Sequence, residues 1–179
     1  MTIRTNIKKK KYLLLLTVLV MSVAVMMSCK VSYSAFGSNI DYNKTKTIQI
    51  NDFPIRSSYV WGPMGPMFNN ALKDEFANHT HLTQVKRNGD LKIEGEITNY
   101  SQRNKSVSSE GYSAQTELTI TVNVRFTNNA NHKEDFERQF SASQSYETTR
   151  SLSSVQEELV TQIIDQLVEQ IFNATVANW

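Results

Sequence analysis

The chain of 179 residues has one cysteine, Cys29, and that scarcity closes several routes at once. A single thiol cannot form an internal disulfide or a cysteine-rich zinc site. The fold must stand on packing, which a domain of this size can supply, so the lack of a bridge does not argue against export. Long apolar runs are also missing. Tyr12 to Met27 is the longest, about 16 residues against the ~20 a spanning helix needs. No glycine-rich phosphate loop, nucleophile elbow or zinc-protease motif occurs. His79 and His81 lack an indicated third ligand, and His132 lies in a turn. Glu94 and Glu96 share a strand face, where a carboxylate pair reads as solvated surface rather than an acid/base dyad. The sequence therefore predicts no enzyme, no metal site and no cofactor.

What the N-terminus does contain is a targeting signal. Lys8 to Lys11 form a basic region, Tyr12 to Met27 an apolar one, and Val25-Met26-Met27-Ser28-Cys29 reads as a lipobox. Cleavage before Cys29 would leave that cysteine as a lipidated N-terminus, the only covalent group expected. The competing reading is an uncleaved signal anchor with an ordinary thiol. No acidic run follows Cys29 and Lys30, which by analogy with Gram-negative sorting points to the outer membrane. Residues 1–28 are read as signal peptide, 29–40 as a lipidated tether and 41–179 as one domain.

The charge balance changes once that signal is set aside. Five of the 19 basic residues and none of the 17 acids lie in residues 1–28, so the mature chain carries a formal charge of −3. The sequence pI of 8.6 thus belongs to targeting, and nucleic acid is not an expected partner.

Residues 41–179 read as α+β. Thr45–Phe53 alternates as a strand ended by Pro54. The loop through Tyr59, Trp61, Met64 and Met67 is apolar; it either docks a partner or folds back over the core edge. Pro66–Asn78 has helical spacing of Phe68, Leu72 and Phe76, with Pro66 expected at the first helical position. Leu82–Val85 is either a short strand or the start of the next. Asn88-Gly89-Asp90 marks a turn into the strand Leu91–Tyr100, in which Gly95 predicts a bulge or the close passage of a helix. Ser101–Ser113 has no apolar period and is expected to be a flexible hairpin loop. Thr116–Asn128 shows the clearest alternation in the chain, and Lys133–Ala142 is its expected partner, interrupted by Arg138.

Ser151–Ala174 predicts a long amphipathic helix with a capping box at Ser154-x-x-Glu157. Its stripe is wide enough to cover a sheet, a coiled-coil dimer being the alternative. The expected architecture is β-α-β-β-β-α: a four-stranded mixed sheet with two helices on one face and a polar opposite face.

These motifs carry a resemblance. Val31-Ser-Tyr-Ser follows the lipobox, then Lys46-Thr-Ile-Gln-Ile50, Ala71-Leu-Lys-Asp-Glu-Phe76, Asn88-Gly-Asp-Leu91 and Glu94-Gly-Glu-Ile-Thr-x-Tyr100. Leu118-Thr-Ile-Thr-Val122, Val124-Arg-Phe-Thr127, Asp135-Phe-Glu137 and the Asn178-Trp179 end complete the pattern. Together they resemble the lipopolysaccharide-assembly lipoprotein family LptE, over nearly the whole mature chain. The resemblance implies a non-enzymatic outer-membrane lipoprotein that plugs the β-barrel LptD, helps it assemble and binds lipopolysaccharide.

Lipopolysaccharide phosphates call for cationic donors, and the candidates are Arg103 and Lys105 in the hairpin loop with Lys92 and Arg125 on the polar face. Trp61 is the candidate partner contact. Two other roles remain open for such a lipoprotein: binding a glycan or protein partner, or activating a cell-wall enzyme.

Overall fold

The computed structural model describes residues 40–59, 61–105 and 115–176. Its elements run β1 (Thr47–Ile50), α1 (Met64–His79), β2 (Thr83–Gln84), β3 (Leu91–Lys105), β4 (Gln115–Asn128), β5 (Phe136–Glu147) and α2 (Leu152–Thr175). One turn of 3-10 helix, His132–Glu134, lies between β4 and β5. The sheet order is β2-β1-β3-β4-β5, with β1 parallel to both its neighbours and β3, β4 and β5 mutually antiparallel.

The class is α+β with a mixed sheet and two helices, as the alternation predicts, but the sheet has five strands rather than four. The extra one is β2. Its two residues are both exposed, so no burial period marks them in the sequence. Backbone bonds make the strand: Thr83 N–H donates to the Lys46 carbonyl and Val85 N–H to that of Ile48, each at 2.9 Å.

Helix α1 buries Phe68, Leu72 and Phe76, one residue per turn of spacing four. It starts two residues before Pro66, which lies within the first turn, where an amide N–H has no intrahelical acceptor to lose. Helix α2 buries Val155, Leu159, Val160, Ile163, Ile164, Leu167, Val168 and Ile171. The expected capping box does not form. The helix already begins at Leu152, and the Ser154 hydroxyl donates to the Ser151 carbonyl at 2.7 Å.

Both helices share one core with the apolar side of the sheet: Ile48, Leu91, Ile93 and Ile97 from β1 and β3, and Leu118 to Phe126 from β4. Each such side chain, fully withdrawn from water, stabilises by about 1.5–3 kcal/mol. Gly95 lies in this row because nothing larger fits. A Cβ there would stand 2.0 Å from the Asn123 carbonyl oxygen and 2.5 Å from the Phe53 ring. Phe53 caps the gap from the segment after β1. That segment bonds to β3 on both sides of it: Asn51 N–H to the Ile93 carbonyl, and Ile97 N–H to the Pro54 carbonyl.

The second half of β3 differs from expectation. Residues 101–105 continue the ladder with β4 instead of leaving it. A bulge at Thr98 explains why periodicity missed this. Ile97 pairs with Val122 and Asn99 with Thr121, so Thr98 is extra and the inward parity passes from odd to even residues. Tyr100, buried at 5% exposure, is the first inward residue of the new phase.

Candidate functional site

The polar side of β3, β4 and β5 is a surface built to one pattern. On β4, Glu117, Thr119, Thr121, Asn123 and Arg125 alternate with buried apolar residues and face outward. Their partners across the ladders are Arg103, Ser101, Asn99, Glu96 and Glu94 on β3, and Ser145, Ser143, Ser141, Gln139 and Glu137 on β5. The pairing sorts this face into three bands: charged, uncharged, charged.

The first charged band lies at the start of β3. Lys92 Nζ stands 2.7 Å from Glu94, and Arg125 reaches Glu94 at 3.9 Å and Glu137 at 2.9 Å. Asn123 donates to the other Glu137 oxygen at 2.9 Å, and Asn51 to Glu94 at 3.2 Å. The Asn123 and Arg125 donors hold the Glu137 carboxyl below its usual range, and Glu137 in turn raises the Arg125 guanidinium. A shallow depression of about 370 Å³ opens here, lined by Asp52, Glu94, Glu96, Arg125 and Glu137 among others.

The middle band is hydroxyl and amide: Thr121 and Ser141 meet at 3.1 Å and Asn99 donates to Ser101 at 3.0 Å. In the third band Arg103 and Lys105 each reach one oxygen of Glu117 at 2.8 Å, and Lys105 also donates to Ser145 at 2.9 Å. Lys105 and Arg103 together hold the Glu117 carboxyl low.

All four cationic candidates therefore stand on this face, and each is ion-paired. Arg103 and Lys105 belong to a strand and not to a loop; the Thr98 bulge turns them outward beside Glu117. In the first band the charges of Lys92 and Arg125 cancel those of Glu94 and Glu137. In the third, two cations share one carboxylate, leaving a surplus of one positive charge.

Trp61 is half-buried and packs against the core, while Tyr59 beside it is 48% exposed and stacks on Tyr100 with ring centroids 4.9 Å apart. Cys29 and the rest of the lipobox lie outside the described residues, as does Trp179.

Sequence reasoning missed the polar cluster under Tyr59. Gln156, buried within the apolar stripe of α2, donates to the Tyr100 hydroxyl at 2.7 Å, and the Tyr146 hydroxyl donates to Gln102 at the same distance. A glutamine inside an otherwise apolar helical face was the available signal. Arg138 also finds its reason: its guanidinium lies 5.3 Å from the Phe136 ring centroid, and an exposed charge on edge strand β5 opposes further strand pairing. Among the described residues no group of three or more His, Cys, Asp or Glu is placed to hold a metal.

The model of the lipopolysaccharide-assembly family LptE matches residues 45–175, more than half of the chain. The chain belongs to the LptE family. Solved structures of similar outline include a minor lipoprotein from Acinetobacter baumannii (17% identity, TM-score 0.47, covering 71% of this chain and 89% of that one). Another is the rare lipoprotein B from Shewanella oneidensis (14%, TM-score 0.46, 70% and 92%). A third is an uncharacterized lipoprotein B from Nitrosomonas europaea (17%, TM-score 0.45, 71% and 79%). No curated protein matches. Family membership rests on the family match, which ties the chain to lipopolysaccharide assembly in general.

Proposed function

We propose that this LptE-family chain is a lipid-anchored outer-membrane protein that plugs an LptD-type β-barrel and helps it assemble for lipopolysaccharide insertion. The observation that supports this best is the polar sheet face, whose charges are ion-paired within the protein down to a surplus of one positive charge. Such a face can enter a water-filled lumen with little countercharge from the barrel wall. The anchor is Cys29, and the role is structural and not catalytic. Among the described residues no helix is long and apolar enough to cross a membrane, so attachment through a lipid is consistent with this reading.

Within it, Arg103 and Lys105 are the cations we assign to lipopolysaccharide phosphates, because their band alone keeps surplus positive charge. Trp61 and its exposed neighbour Tyr59, which stacks on Tyr100 on the helix side of the sheet, are the partner contact we assign.

The test is affinity purification of the tagged, lipidated protein from solubilised outer membranes, with mass spectrometry of what accompanies it. One large β-barrel in near-equal amount supports the plug. Recovery alone, or with a periplasmic enzyme, would overturn it. Arg103→Glu with Lys105→Glu should lower lipopolysaccharide affinity at unchanged thermal midpoint; unchanged affinity removes those two residues from the site.

A further inference from the structure

A second depression, about 630 Å³, lies at the end of the sheet where β3 begins, β4 ends and α2 finishes. Its floor is apolar: Leu91 and Phe126 are each 2% exposed, and Phe136 is half-buried beside them. Its rim carries Lys133 and Arg138, both exposed. These two cations differ from the four on the polar face in one decisive respect. Among the described residues neither has a carboxylate within salt-bridge distance; Arg138 has only the Phe136 ring.

Three carboxylates line the depression as well, and each is held by partners other than these two cations. Asp135 accepts from the Asn128 N–H at 2.7 Å and stands 2.9 Å from His132 Nδ1. Glu134 accepts from the Asn128 and Asn131 amides, both at 2.7 Å, and Asp41 lies 3.5 Å from Lys44. Among the described residues Lys46, Lys86, Arg87 and Arg150 also lack a carboxylate within salt-bridge distance but line neither depression.

Unpaired cations beside an apolar floor match an anionic amphiphile. A guanidinium fork can take two phosphate oxygens, an ammonium can add a third contact, and methylenes can cover the aromatic floor. The position points to the source. Ile40 lines this depression and is eleven residues from Cys29, a length of chain that spans at most about 40 Å. We propose that the depression binds the phosphate headgroup and first acyl methylenes of an anionic bilayer phospholipid, Lys133 and Arg138 holding the phosphate.

The proposal rests on the lipid-anchor reading of Cys29. That anchor would keep the bilayer surface within reach and raise the local lipid concentration. Lipid contact at this end would also fix which end of the sheet points away from the membrane, a constraint that acylation alone does not impose.

The experiment is native mass spectrometry of the full lipidated protein in detergent, titrated with phosphatidylglycerol or with phosphatidylcholine. Phosphatidylglycerol adducts should persist to higher collision energy and at lower lipid concentration. Lys133→Gln with Arg138→Gln should lower their occupancy at least tenfold, and Arg103→Gln with Lys105→Gln should leave it unchanged. Both substituted side chains are exposed, so the thermal midpoint of the first variant should equal that of the parent; Lys133→Gln alone provides a milder second arm.

Equal occupancy by the two lipids, or no loss in the double variant, would overturn the assignment. Displacement by an equal concentration of inorganic phosphate would overturn it too, identifying a free-phosphate site. Barrel recovery is read separately on the same preparation, so a failed plug reading and a failed lipid site give different results.

Discussion

The two faces of the sheet are cut from the same three strands, yet they are held by opposite means. On the inner face Leu118, Ile120, Val122, Val124 and Phe126 are almost wholly buried against helices α1 and α2. On the outer face their immediate neighbours Glu117, Asn123 and Arg125 stay in reach of water and meet charges from β3 and β5. The inner face supplies most of the stability, because apolar burial scales with area and needs no exact partner. The outer face supplies little, since exposed ion pairs are screened and cost side-chain entropy. What it gains is a surface on which charge is mutually satisfied. That difference teaches where cations without a carboxylate partner are to be found: at the end of the sheet, on Lys133 and Arg138, whereas the four on the polar face are all ion-paired.

The contrast can be broken at the point where the backbone itself closes the inner face. Gly95→Val would drive side-chain carbon into the Asn123 carbonyl and the Phe53 ring, so loss of the cooperative urea transition is expected. A transition that survives within about 1 kcal/mol of the parent would show that Phe53 can be displaced cheaply.

Ile163→Ala comes next. Ile163 is fully buried in the centre of α2, and its truncation should cost about 2–5 kcal/mol with an unchanged denaturant slope.

A smaller effect appears only in acid. The Asp90 carboxylate accepts from the Lys46 and Thr47 amides and the Thr47 hydroxyl, tying β1 to the turn before β3. These bonds, the Lys46 amide first, hold its pKa below the usual 3.8. Its contribution is therefore present above pH 3.8 and lost as pH falls through the lower folded value. Asp90→Asn should be less stable than the parent at pH 6, with the gap narrowing below pH ~4. Parallel urea midpoints from pH 6 to pH 2 would contradict this.

The least effect is expected at Glu117→Gln. The midpoint should stay within error of the parent in 0.5 M salt, while Arg103 and Lys105 become available to external anions. Tighter lipopolysaccharide binding by this variant would sharpen the contrast between paired and free cations.

Much of this was legible in the residues because it is local. The alternation from Leu118 to Phe126 and the stripe from Val155 to Ile171 each repeat with the period of one element, so neither needs the rest of the fold. Gly95 predicts a bulge or the close passage of a helix, and the structure corrects this: the bulge is at Thr98, and the Phe53 ring and the Asn123 carbonyl are what leave no room at Gly95. Strand β2 falls within Leu82–Val85, which reads as either a short strand or the start of the next, and its two exposed residues carry no period to decide between them. The strand character of Arg103 and Lys105 was hidden by Thr98, a single inserted residue that reverses the parity of everything after it.

The sequence alone thus determined the α+β class, the two helices, the polar character of the outer face and the pattern that marks the family. Only the tertiary structure decided which carboxylate stands opposite each cation. Whether a lysine or arginine is free depends on strand register and on pairs as far apart in the chain as Glu94 and Glu137 around Arg125. Periodicity fixes the face a residue occupies; long-range pairing fixes its partner, and that partner sets whether its charge remains available.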